Sequence, residues 1–132
     1  MNADHLKSIP LFASLSRRDR DLVARYADEV DVPAGKTLTE EGGSAREFFV
    51  IDSGTASVTK GGQEINTLGP GDFFGEIGVL RHSPRTATVT ATSPMHLVVL
   101  FAQNFAALED QLDEVAKVVE RVMAERLASD QS

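Results

Sequence analysis

Gly69-Pro70-Gly71-Asp72-Phe73-Phe74-Gly75-Glu76-Ile77-Gly78-Val79-Leu80-Arg81-His82-Ser83-Pro84-Arg85-Thr86-Ala87-Thr88-Val89 is the stretch around which the rest of the chain is organised. It holds four of the ten glycines in the sequence, two prolines, an acid inside a glycine frame, and an arginine directly after a proline. Gly75-Glu76-Ile77-Gly78 reads as the first turn of a short helix, and its glycines let a ligand approach the backbone closely. The first amides of a helix lack intrahelical partners and sit at the positive end of its dipole, so such a turn is suited to a phosphate. Arg85 adds a full charge and a planar fork of donors, and Thr86 adds a hydroxyl. Glu76 would repel a phosphate. Its carboxylate makes sense as the acceptor for a sugar hydroxyl, the part an acid plays toward ribose in dinucleotide folds. A nucleotide with a single phosphate satisfies all of these groups.

Phe74-Gly75-Glu76-Ile77-Gly78 followed by Ser83-Pro84-Arg85-Thr86-Ala87-Thr88-Val89 resembles the phosphate-binding cassette of cyclic nucleotide-binding domains. That family includes catabolite activator proteins, protein kinase A regulatory subunits and cyclic-nucleotide-gated channels. Leu11 to Ser16, Gly35 to Leu38 and Phe48 to Ala56 also resemble the family, in its order, so the resemblance covers nearly the whole chain. It implies a mainly β, α+β fold: an antiparallel β-roll or jelly-roll barrel with an N-terminal helix, a short cassette helix and C-terminal helices. It implies ligand contacts from Phe74, Gly75, Glu76, Ile77, Gly78, Arg85, Thr86 and Ala87, with Glu76 on the ribose 2′-hydroxyl and Arg85 on the phosphate. The ligand would be cAMP or cGMP. Family prevalence favours cAMP, while the Thr86 hydroxyl also suits the exocyclic amine of a syn guanine.

Composition narrows the field independently. With 132 residues and 42% hydrophobic content, the chain suits one domain with a single core. We divide it into an N-terminal helical part (1–28), a β-roll (29–102) containing the cassette (69–89), and C-terminal helices (103–128). A formal net charge of -7 argues against broad binding to nucleic acid or anionic membranes. Cysteine is absent, which removes disulfides, thiolate zinc sites, cysteine nucleophiles and cysteine-held iron–sulfur clusters. No apolar run approaches the ~20 residues of a membrane helix, and Met1 to Leu15 lacks the apolar centre of a signal peptide. The expected setting is cytoplasmic, without membrane insertion.

Taken in order, Ser16-Arg17-Arg18-Asp19 resembles a capping-box start, with Leu15 placed as a staple. Leu22, Val23, Tyr26 and Ala27 then share a helical face. From Glu29 onward, short alternating or apolar runs are separated by Gly-, Pro- and Asp-rich turns, which is the pattern of an antiparallel barrel or sandwich. Phe48 to Ile51 reads as a strand buried on both faces, and Lys60-Gly61-Gly62-Gln63 as a hairpin tip. Thr86 to Thr92 and His96 to Phe101 complete the set. Asn104 caps a further helical stretch to about Leu127. Its stripe of Leu108, Leu112, Val115, Val119 and Val122 serves packing onto the barrel, a homodimer seam, or a lid. Met123, Arg126 and Leu127 are the candidate lid over the purine, Arg126 by stacking on the ring.

Other residue types carry little chemistry. His82 reads as a solvent-facing loop residue, and a single histidine without a second candidate beside it does not make a metal site. No serine–histidine–acid order and no paired acids appear, so neither a catalytic nor a metal constellation is expected. Phe73 and Phe74 suit core anchoring better than stacking on a base. Two functional readings remain. One is a cyclic-nucleotide sensor that transmits occupancy through its last helix to an unidentified effector. The other is a ligand-free interaction or dimerisation module of the same fold, against which the presence of both Glu76 and Arg85 argues.

Overall fold

A computed structural model of the chain describes residues 2–13, 15–43, 47–75 and 85–101. The expected cassette helix with Glu76, Ile77 and Gly78, the loop carrying His82, and the C-terminal helices lie outside the described residues.

The N-terminal part consists of a 3-10 turn, His5–Ser8, and two helices, α1 (Pro10–Ala13) and α2 (Arg17–Tyr26). Ser16 is the N-cap of α2, its hydroxyl accepting from the Asp19 amide at 3.2 Å. The first two pieces carry no helical periodicity long enough to read from sequence. They are held instead by Leu6, Ile9, Leu11 and Phe12, all buried.

Eight strands follow: β1 (Asp28–Val32), β2 (Thr37–Thr39), β3 (Glu47–Ser53), β4 (Ala56–Lys60), β5 (Gln63–Leu68), β6 (Phe73–Phe74), β7 (Thr88–Ala91) and β8 (Met95–Phe101). They form two four-stranded antiparallel sheets, ordered β1-β8-β3-β6 and β2-β7-β4-β5. The expected β-rich antiparallel architecture is therefore present. Two details differ from the sequence reading. β7 begins at Thr88, so Thr86 and Ala87 precede the strand, and Phe73–Phe74 pairs with β3 as a strand of its own.

The β8-β3-β6 part of the first sheet is apolar on both faces, which explains the unbroken apolar run in β3. Alternate residues of a strand face opposite sides. Phe48, Val50, Phe73, Val98 and Leu100 pack with the N-terminal segment on one side. Phe49, Ile51, Phe74, Leu97 and Val99 pack on the other, with Ala56, Leu68, Val89 and Ala91 of the second sheet. Two cores thus share one sheet.

Candidate anion-binding site at Gly75 and Arg85

β3 and β6 position the site. Phe49 lies opposite Phe74, and the two rings stack with centroids 4.7 Å apart. The Phe74 side chain is buried in the inner core, so it fixes the strand end from which Gly75 departs. Gly75 has φ of 89°, in the region that favours glycine. A Cβ there would stand 2.7 Å from Arg85 Nη1 and 2.7 Å from the Glu47 carbonyl oxygen. Glycine at this position is what allows the guanidinium to reach the backbone.

Arg85 is only 6% exposed. Its backbone is clamped by the turn after β2: its amide donates to the Gly43 carbonyl at 2.8 Å, and its own carbonyl accepts from the Gly42 amide at 2.9 Å. Its side chain runs inward. Nη1 donates to the Gly75 carbonyl at 3.1 Å, and Nη2 donates to the Glu47 carbonyl at 2.8 Å and to Glu47 Oε2 at 3.3 Å. A guanidinium stays ionised in proteins, and a buried charge needs partners. Here two carbonyl dipoles and one carboxylate supply them, fixing the plane of the guanidinium beside Gly75. Thr86 and Ala87 continue from Arg85, both half-buried. The Ala87 carbonyl accepts from Thr39 Oγ1 at 3.2 Å, and Thr88 Oγ1 accepts from the Glu41 amide at 3.0 Å, so this segment is pinned along β2.

Of the residues singled out from the sequence, Gly75 and Arg85 are brought into contact, and Thr86 and Ala87 lead from Arg85 into β7. Glu76, Ile77, Gly78 and the candidate lid of Met123, Arg126 and Leu127 lie outside the described residues. Glu47 was not singled out. In sequence it is an acid at the start of an apolar run, and nothing local marks its carbonyl as the seat of an arginine 38 positions away.

The family model of the cyclic nucleotide-binding domain matches residues 29–111, which contain both sheets apart from Asp28, and the Gly75–Arg85 pair. The chain belongs to the cyclic nucleotide-binding domain family. Among relatives in this family, a cAMP-dependent protein kinase regulatory subunit of Eremothecium gossypii is 36% identical over 124 residues, covering 93% of this chain and 27% of the relative. The crystal structure of Thermus thermophilus catabolite activator protein superposes with a TM-score of 0.80 at 31% identity, covering 92% of this chain and 60% of that one. The regulatory domain of Toxoplasma gondii PKA, solved with cAMP, gives a TM-score of 0.82 at 24% identity over 93% of this chain and 48% of that one, a likeness of fold. The chain thus spans about a quarter of the length of the kinase subunit, 27%, and 60% of the bacterial activator.

Proposed function

We propose that this chain is a regulatory module that binds a cyclic nucleotide, cAMP in preference to cGMP, and passes occupancy on through its C-terminal helices to an effector. The observation that carries this reading is the buried Arg85 guanidinium, held against the Gly75 and Glu47 carbonyls inside the matched family region. In this reading Arg85 and the backbone amides that follow Gly75 bind the cyclic phosphate, while Glu76 takes the ribose hydroxyl. Thr86 and Ala87 line the phosphate, and Met123, Arg126 and Leu127 cover the base. Ligand then biases the helices between two positions in proportion to its differential affinity for them. The module has a binding and signalling role, with no chemical step, in a cytoplasmic setting. Among the described residues no helix is long and apolar enough to cross a membrane.

Thermal melts with cAMP, cGMP and linear AMP test this. A ligand at 100 times its dissociation constant should add about 2.7 kcal/mol of stability, and only the cyclic forms should do so. No shift with either cyclic nucleotide up to millimolar concentration would instead favour the interaction module. Because Arg85 is itself bonded into the fold, the sharper variant is Arg85→Lys. It keeps the charge, loses the fork, and should weaken cAMP binding at least tenfold by calorimetry.

A further inference from the structure

A second cluster of ionisable groups lies on the first sheet, apart from the Arg85 site. His96 on β8 is paired in register with Asp31 of β1, and its Nδ1 is 2.6 Å from Asp31 Oδ1. Its Nε2 is 2.9 Å from Glu29 Oε1 and 3.9 Å from Asp52 Oδ2. That same Asp52 oxygen lies 2.6 Å from Nε2 of His5, in the N-terminal 3-10 turn. The two imidazole rings meet edge to face with centroids 6.5 Å apart. Asp52 reaches both because it is the extra residue of a bulge: Ile51 pairs with Leu97 and Ser53 with His96, leaving Asp52 without an opposite residue.

Three carboxylates meet two imidazoles here. Glu29, Asp31 and Asp52 form no other ion pairs among the described residues. Imidazole is the side chain whose ordinary charge change falls near neutral pH, so the proton on His96 is the variable charge here. The geometry identifies the charged form. A neutral imidazole has one N–H and one lone pair, whereas an ionised carboxylate only accepts. Both ring nitrogens of His96 face carboxylate oxygens, and only the imidazolium donates to both. In the neutral ring one lone pair would face a carboxylate.

We propose that His96, with Asp31 and Glu29, forms a proton-operated latch that fastens edge strand β1 to strand β8. With His96 protonated, β1 is tied by Glu29 and Asp31. Loss of the proton leaves one ring lone pair facing a carboxylate and less positive charge among three carboxylates, and β1 loosens. The hydrogen bond to Asp31, and then that to Glu29, hold the His96 pKa above the ordinary imidazole value, against a smaller opposing effect of burial. A group raised in the folded state stabilises fully below its unfolded value, about 6.5, and that contribution is lost as pH rises through the folded value. The latch is therefore closed in mild acid and opens toward alkaline pH.

The ring state is read directly from imidazole nitrogen chemical shifts of the intact chain. Both His96 nitrogens should be protonated at about pH 6; a neutral ring there overturns the proposal without any variant. Native-state hydrogen exchange, corrected for intrinsic base catalysis, reads the attachment. Between about pH 6 and about pH 8.5, protection along β1 should fall several-fold, while Val50 and Val98 stay constant. His96→Gln should remove this pH dependence and leave β1 as open at the lower pH as the wild type is at the higher. An unchanged pH dependence in that variant would assign the effect to overall charge and defeat the latch.

Discussion

At the scale of single residues, Gly75, Glu47 and Arg85 divide their roles unequally. Gly75 has no substitute, because both its backbone angle and the space beside its Cα exclude a side chain. Gly75→Ala is expected to cost about 1–3 kcal/mol in chemical denaturation from backbone strain. It should also abolish cyclic-nucleotide binding by displacing the guanidinium. Glu47 contributes mainly through its carbonyl, whose bond to Arg85 is 2.8 Å against 3.3 Å for the carboxylate. Its side chain is 33% exposed, so the ion pair is partly screened. Glu47→Ala should therefore cost under about 1 kcal/mol. Arg85→Ala removes the shared partner of two carbonyls, each costing about 1–3 kcal/mol if left buried and unpaired. Its denaturation midpoint should fall well below that of Glu47→Ala, and the comparison separates the guanidinium from the carboxylate.

At the scale of elements, the turns and caps carry much of the specification. The Ser16 hydroxyl on the Asp19 amide starts α2, and Ser16→Ala should lower stability by about 1 kcal/mol in urea. The turn between β3 and β4 is more demanding. A Cβ on Gly54 would lie 2.4 Å from the Pro94 carbonyl oxygen and 2.8 Å from the Met95 Cα, which are backbone atoms that cannot swing aside. At the β4–β5 hairpin tip, a Cβ on Gly61 meets nothing within 4 Å. Both glycines have positive φ, so both alanine variants carry the conformational penalty, but only Gly54→Ala adds a collision. Parallel urea titrations should place Gly54→Ala clearly below Gly61→Ala. Equal midpoints would mean that the two turns relax alike. The Ser16 cap and the turn positions were legible in the sequence because each depends on residues a few positions apart, whereas the crowding of Gly54 by Pro94 and Met95 was not. β6 was not, since two phenylalanines inside a glycine-rich stretch show no period.

At the scale of the whole molecule, the sheet whose β8-β3-β6 part is apolar on both faces is the organising feature. Its outer face is covered by the N-terminal segment, in which Phe12 is fully buried against Phe48, Val50 and Leu100 in one cluster. Phe12→Ala should cost about 3–5 kcal/mol, the usual penalty for emptying such a site. It should also expose apolar surface, detectable as increased binding of a hydrophobic dye. If the loss is no larger than that of Ser16→Ala, the N-terminal segment is only a loose cover. The barrel beneath depends on the inner core, so its circular dichroism should keep a β signature in this variant.

The sequence by itself determined the β-rich domain, its turn positions, the start of α2, and the residue types of a candidate anion site, because alternation, capping and turn chemistry are local. Its resemblance to a family placed Gly75 and Arg85 in that site. Only the tertiary structure decided that the Glu47 carbonyl holds Arg85 and that His5, Asp52 and His96 form one cluster with Glu29 and Asp31. Partners 38, 47 and 67 positions apart meet only when strands close into sheets. The pairing register and the bulge at Asp52 set those meetings, and neither leaves a signal in nearest-neighbour sequence.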